Sequence, residues 1–308
     1  MTLLGRGWHW LADEPHHRTG LRVLQCAIGL ALLFRAFSEA PFAAYLWGPH
    51  GLGWGSTQRV LGPTLGGLVD GVFATEIGTL GVVVALAAGA LGLLMGYRTD
   101  VATAVALVAF LLLEQRLPEL MDRGDTITRL TLSYMLLALP SGAQAVRGSL
   151  AVWLHNVAVL AIALQVSVLY ANSGLWKLAG DQWQHGTALY YISQVEWVSL
   201  PAMREMFKHP LVTTIATYSS VLYETLFPVA IVSPLRLPWL AFGMVFHLGI
   251  AVFLGFVTFS MVMIGLLLFL MPDRHYVVLR AWLHAGWRQG RGWAKRLGAA
   301  RPRAAQRP

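Results

Sequence analysis

Residues 237–271 read LPWLAFGMVFHLGIAVFLGFVTFSMVMIGLLLFLM and contain no Asp, Glu, Lys or Arg. A run this apolar offers water no polar face and belongs in the hydrocarbon of a bilayer. One crossing needs about 20 residues, so this stretch is too long for one span. It predicts two helices joined tightly near Gly255. Outward from it lie six more apolar segments, 21–37, 77–96, 101–117, 126–139, 151–175 and 211–232. The expected fold is an all-α, polytopic transmembrane helical bundle of about eight spanning helices.

Composition points the same way. Of 308 residues, 56% are hydrophobic and 12% charged, where soluble domains carry about 25% charged residues. The mean hydropathy is +0.58. The formal charge of +8 could signal nucleic acid, but its distribution argues against that partner. Nine basic residues (Arg274, Arg280, Arg288, Arg291, Lys295, Arg296, Arg301, Arg303 and Arg307) follow Pro272, against the single acid Asp273. With Trp282, Trp287 and Trp293 among them, they form a tail suited to an anionic lipid surface. The expected partner is the lipid bilayer, in a cell (inner or plasma) membrane.

Lys and Arg in the short loops place both termini in the cytoplasm. Residues 1–20 are then a cytoplasmic amphipathic N-terminus, 21–272 a transmembrane domain and 273–308 a basic cytoplasmic tail. The first twenty residues lack the apolar core of a cleavable signal, so the first span is expected to target the chain. The loops 38–76 and 178–210 face outward, and loops this long are functional or re-entrant as a rule. Cys26, alone in an apolar run, reads as an inert buried thiol.

Ionisable groups inside spanning segments cost several kcal/mol each and mark sites or pathways by default. Arg35, Arg129, Lys177, Glu224 and His247 are the candidates, and each has an ordinary structural explanation. Arg35 and Lys177 can snorkel to the headgroups. Arg129 can pair with Asp125 four residues earlier. Glu224 can serve a kink at Pro228, and His247 can be a neutral imidazole on a backbone carbonyl. Lys177 stands out because apolar and aromatic neighbours surround it at a water boundary, with Ser173 on its face, a setting for a base near neutral pH. No GxGxxG, Walker, HExxH or GxSxG pattern occurs, and no spaced histidine pair points to a metal.

The run YANSGLWKLAGDQWQHGTALYY at 170–191 resembles the signature of the HTTM family, the membrane domain shared with vitamin K-dependent gamma-carboxylases. Its elements here are Ser173-Gly174, Lys177, Trp183 and Gly186. Gly124-Asp125 with Arg129 resembles the opening of another family helix, and Glu224…Phe227-Pro228 and Phe246-His247-Leu248-Gly249…Phe259-Ser260 resemble its later helices. The string Gly-Thr-Ala-Leu-Tyr-Tyr resembles the SdpB-like branch, whose members help mature a secreted bacterial peptide toxin.

The resemblance implies an enzyme in which the lysine at Lys177 deprotonates a reduced vitamin K hydroquinone. Oxygen turns that anion into a strong base, which takes a proton from a glutamate side chain before carbon dioxide adds. It carries over Lys177 alone as a catalytic residue; His247 and Glu224 stand beside it as catalytic candidates, and Arg35, Arg129, Trp176 and Trp183 as candidate cofactor contacts. Reduced menaquinone or vitamin K hydroquinone is the implied cofactor. The family's catalytic histidine falls at either His155 or His247. Carboxylases carry a large non-membrane domain after their helices, where this sequence continues as the basic tail. Quinol-dependent chemistry, or modification of a peptide substrate with a separate partner protein, is therefore expected over carboxylation by this chain alone. The alternatives are an SdpB-like role in maturing or exporting a secreted peptide, and a transporter using Glu224 and His247. No internal repeat supports the last.

Overall fold

The structure is a computed structural model and describes residues 3–53, 56–197, 199–278 and 281. Its helices are α1 (Leu3–Ala12), α2 (Arg18–Glu39), α3 (Ala43–Trp47), α4 (Ser56–Val72), α5 (Glu76–Met95), α6 (Thr99–Arg116) and α7 (Arg123–Met135). They continue as α8 (Leu150–Leu178), α9 (Asp181–Gln184), α10 (Ala188–Ser193), α11 (Pro201–Phe207), α12 (Pro210–Ala230), α13 (Arg236–Leu254) and α14 (Val257–Phe269). No strand occurs among the described residues, so the expected all-α bundle is what forms.

Local chemistry sets the helix ends. The Thr75 side chain accepts the Gly78 N–H to cap α5, and Ser149 caps α8 through the Val152 N–H. Asp122 and Asp125 form a reciprocal capping box on α7, each accepting the other's backbone N–H at 2.9 Å. Each device satisfies donors that a helix start leaves without partners. Between α13 and α14 the chain turns at Gly255, whose φ of 73° is left-handed and opposed by no neighbouring atom. Residues 237–271 therefore fold as the tight helical pair expected from their length.

Among the described residues eight helices traverse the bundle with alternating direction: α2, α5, α6, α7, α8, α12, α13 and α14. At one end Arg18 donates to the Ala143 carbonyl at 2.9 Å, Arg22 to the Leu94 carbonyl at 2.6 Å, and Gly20 N–H to Asp273 at 3.3 Å. At the other, Arg35 reaches Asp125, and Leu200 N–H donates to the Phe253 carbonyl at 3.1 Å. Residues 12–20 and 270–276 thus lie at the same end.

Four helical segments are long and apolar enough to cross a membrane alone: 18–47, 76–95, 150–178 and 236–254. The other four traversing helices fall short for physical reasons. At 13 residues each, α7 and α14 rise about 20 Å, less than a hydrocarbon core of about 30 Å. Glu114 and Arg116 interrupt α6, and α12 carries Glu224 among several Ser and Thr. These four complete the bundle by packing on their neighbours.

The core runs along α2, which sits between α5 and α14 and buries Leu21, Leu24, Ile28 and Leu32 at helical spacing. Outward-facing side chains are equally apolar: Leu80 and Val84 on α5, Leu164 and Val168 on α8, Val245, Leu248 and Val252 on α13 are all more than half exposed. A water-facing surface does not carry such a belt, whereas lipid accepts it. This is an α-helical membrane protein.

Three segments outside the traversing helices gain detail. The N-terminal helix α1 docks on α8. There Asn156 accepts the His16 N–H at 2.9 Å and donates to the carbonyls of Trp10, Leu11 and Glu14. The loops 38–76 and 178–210 are built structures, containing α3 and α4 and then α9, α10 and α11. Arg116, fully buried, ties the first of them down through the Trp47 and Gly48 carbonyls and Asp70 at 2.6–3.1 Å. Of the basic tail, residues 279–280 and 282–308 lie outside the described residues.

Candidate functional site

The site begins with a close helix crossing. On α8, Gly174 faces Thr225 of α12 so closely that a Cβ would lie 2.5 Å from the Thr225 backbone nitrogen. Only a missing side chain lets the backbones approach this far. Lys177 lies three residues beyond Gly174, and Glu224 immediately precedes Thr225. The crossing thus brings the two charged groups together, and Lys177 Nζ donates to Glu224 Oε2. Ser173 Oγ stands 3.5 Å from the same nitrogen, and the Trp183 ring of α9 covers it with its centroid at 4.9 Å. This is an ammonium held by a carboxylate and an aromatic face.

A second polar pair lies further into the bundle on the same wall. Tyr170, one turn pair before Lys177 on α8, places its hydroxyl 2.7 Å from His247 Nε2 of α13. Tyr170 is stacked on Phe227 with centroids 4.1 Å apart, and Phe259 stands edge-on to the imidazole at 5.5 Å. His247 is 2% exposed, and its Nδ1 is buried without a hydrogen-bond partner among the described residues.

Both pairs face one cavity of about 1170 Å³, above the range of about 300–1,000 Å³ common for small-molecule sites. Its walls come from α7, α8, α12, α13 and α14, and the segment α9–α11 closes its outer end. Most lining side chains are aliphatic or aromatic. Its ionisable members are Arg123, Tyr134, Tyr170, Lys177, Glu224 and His247. Leu164, Val168 and Val245 also line it while remaining 64%, 57% and 71% exposed. These lie near the middle of α8 and α13, so the cavity opens sideways through apolar side chains at lipid depth.

Four of the seven residues singled out from the sequence line this cavity: Lys177, Glu224, His247 and Trp183. The other three do not. Trp176 points outward with 71% exposure. Arg35 is buried between α2, α6 and α7, where it pairs with Glu39 at 2.9 Å and with Asp125 and lies over the Phe110 ring. Arg129 pairs with Glu114 of α6. The expected Arg129–Asp125 pair is thus exchanged: α2 takes Asp125 and α6 takes Arg129. This network crosslinks three helices outside the cavity, and Arg35 does not snorkel. His247 meets a tyrosine hydroxyl instead of a backbone carbonyl, and Glu224 meets Lys177 while α12 continues past Pro228 to Ala230.

His155 has a different role. Its Nδ1 accepts the Leu139 N–H at 3.1 Å, so Nε2 carries the proton and donates to the His16 carbonyl at 2.8 Å. Both nitrogens are spent on chain connections at the opposite end of the bundle. Of the two histidines considered, only His247 reaches the cavity. Tyr170 does not stand out in the sequence as an ionisable group does. Tyr170, Ser173 and Lys177 recur at i, i+3 and i+7, a helical period that places the tyrosine on the lysine's face.

Two curated relatives share part of this chain. The uncharacterized protein YitO of Bacillus subtilis (strain 168) is 32% identical over 124 residues, which is 38% of this chain and 40% of the relative. The sporulation-delaying protein SdpB of the same strain is 29% identical over 125 residues, 38% of this chain and 39% of SdpB. The matched segment therefore spans about two-fifths of each relative's length. No protein-family model matches the chain, and no solved structure does.

Proposed function

We propose that this protein is a membrane-embedded enzyme of the HTTM type, which binds a lipid-soluble hydroquinone such as reduced menaquinone or vitamin K in the cavity. The observation that carries this reading is the Lys177–Glu224 pair facing a large apolar cavity with a lateral opening. The residues present suit such a group. Aliphatic walls take an isoprenoid chain, and the pair takes a ring hydroxyl. A hydroquinone bound there would supply oxygen-reactive, reducing ring chemistry. The protein's part is to admit the molecule from the lipid, orient its hydroxyl at Lys177 and Glu224, and exclude water beneath the Trp183 cover. Burying the pair in a low-dielectric cavity strengthens its effect on a developing charge.

Purified protein given reduced menaquinone and oxygen in detergent is expected to form the quinone epoxide, with at least a hundredfold loss in Lys177→Ala, on the scale of about 10²–10⁴ for acid–base groups. Absence of both quinol binding and epoxide in the wild type sinks the reading.

A second reading is favoured by the similarity to SdpB: a component that matures or exports a secreted peptide together with a partner protein. The cavity then receives an apolar peptide segment. Deleting the gene should leave a precursor peptide unprocessed in the culture medium by mass spectrometry, and an unchanged set of secreted peptides removes this reading.

A further inference from the structure

We propose that a second, smaller cavity at the opposite end of the bundle is a site for one phosphate group, carried by a phospholipid headgroup or free in solution. It stands apart from the proposed function, because none of its lining residues belongs to the large cavity.

This cavity measures about 190 Å³ and lies between the first turns of α2 and the turn that follows α7. Arg18, Arg22 and Gln25 reach it from α2, with Ser141 and His155 across from them, and no Asp or Glu lines it. Arg18 and Arg22 are four residues apart on one helix face, where like charges repel. Neither has a carboxylate partner among the described residues. Arg18 donates to the Ala143 carbonyl at 2.9 Å, and Arg22 to the Leu93 and Leu94 carbonyls in the last turn of α5. A helix C-terminus carries only about half a negative charge. It offsets Arg22 in part and leaves Arg18 as it was, so an anion held between the two relieves their repulsion.

Gln25 adds direction. It is 3% exposed, and its Oε1 accepts from Ser141 Oγ at 3.0 Å and from Arg22 at 3.4 Å. With the amide oxygen engaged by two donors, the amide NH2 is the end left to donate into the cavity. His155 offers no competing acceptor, since the Leu139 N–H and the His16 carbonyl occupy both its nitrogens. The lining therefore presents positive charge and donors, and planar guanidinium groups match the oxygens of a phosphate. Sites that enclose a whole small molecule measure about 300–1,000 Å³, so a cavity this small takes a charged group whose remainder stays outside. Arg18, Ser141 and Gly142 are exposed at its mouth. Arg18 and Arg22 open a spanning helix, which puts the mouth at headgroup depth, where basic pockets between helices hold lipid phosphates.

The test uses the full-length protein, delipidated in an uncharged detergent. Native mass spectrometry counts bound dioleoyl phosphatidylglycerol against dioleoylglycerol, which lacks the phosphate. Equilibrium dialysis measures radiolabelled inorganic phosphate. Wild-type protein is expected to hold one phosphatidylglycerol in preference to dioleoylglycerol. Gln25→Glu keeps the side-chain shape, gives Arg22 an ion-pair partner and puts negative charge in the cavity. It should weaken binding about tenfold or more, and Arg18→Gln, at the exposed mouth, should do the same without disturbing the fold. Arg147→Gln removes an exposed arginine at the same end but outside the cavity, and should leave binding unchanged. Variant-sensitive binding of the lipid alone assigns the site to a headgroup, and variant-sensitive binding of inorganic phosphate assigns it to the free anion as well. Failure of the wild type to bind either probe overturns the proposal. So does binding that Arg18→Gln leaves intact, or that Arg147→Gln weakens equally.

Discussion

A buried ion pair is an expensive way to join two helices, and Lys177–Glu224 shows what that expense implies. Their side chains are 17% and 7% exposed. Removing one partner of a buried pair costs about 3–5 kcal/mol, while replacing both with apolar side chains is often neutral or stabilising. Glu224→Ala is therefore expected to lower thermal stability in detergent clearly, by less than the full range because Lys177 retains some contact with water. The double replacement Lys177→Met with Glu224→Leu should recover that loss while abolishing epoxide formation. A double variant no more stable than Glu224→Ala would show that the pair is structural. At the second polar pair, Tyr170→Phe strips His247 of its hydroxyl partner and leaves the imidazole wholly unsatisfied, at a cost of about 1–3 kcal/mol. A melting temperature unchanged by Tyr170→Phe would contradict that.

Among the elements, the α8–α12 crossing positions the site. Gly174→Val would drive its side chain into the Thr225 backbone, so the helices must separate and Lys177 must leave Glu224. Overpacking of this kind costs about 1–3 kcal/mol, and ligand binding should fall with it. Wild-type affinity in a folded Gly174→Val protein would refute the importance of the close approach. Gly255 differs, since no neighbour opposes a side chain there and only its left-handed φ matters. Gly255→Ala should cost about 1–2 kcal/mol through backbone strain alone, with Gly255→Asn milder, as thermal melts would record. The N-terminal helix α1 hangs on Asn156. Asn156→Ala should raise hydrogen exchange across residues 3–16 and leave α8 protected, because the bonds lost all lead into that segment.

For the whole molecule, the alternating helices put the 139–149 turn and the α9–α11 cap at opposite ends. The charge distribution predicts a cytoplasmic position for the first and an exterior one for the second. In a Cys26→Ser background, Gln144→Cys should react with a membrane-impermeant thiol reagent only after the cells are opened. Gln182→Cys should react in intact cells. The reverse pattern would invert the topology without altering the fold. Exposed Trp176 and Trp197 near the cap fit an interfacial aromatic belt at that end.

The sequence by itself determined the membrane solvent, the eight helical segments, the hairpin at Gly255 and the special setting of Lys177. All of these depend on local hydropathy, chain length and short-range spacing. It also brought Glu224 and His247 forward, because an ionisable group in an apolar helix is conspicuous wherever it points. What it left open was partnership. Arg129 lies one helical turn from Asp125, yet Arg35 of α2 takes Asp125 and Glu114 of α6 takes Arg129. Trp176 and Trp183 look alike in the linear signature, but helical rotation turns the first to lipid and the turn at Gly180 folds the second over Lys177. Only the tertiary structure decided that four of the seven residues share a cavity, because the pairing of Lys177 with Glu224 and of Tyr170 with His247 arises from helices that meet far apart in the chain.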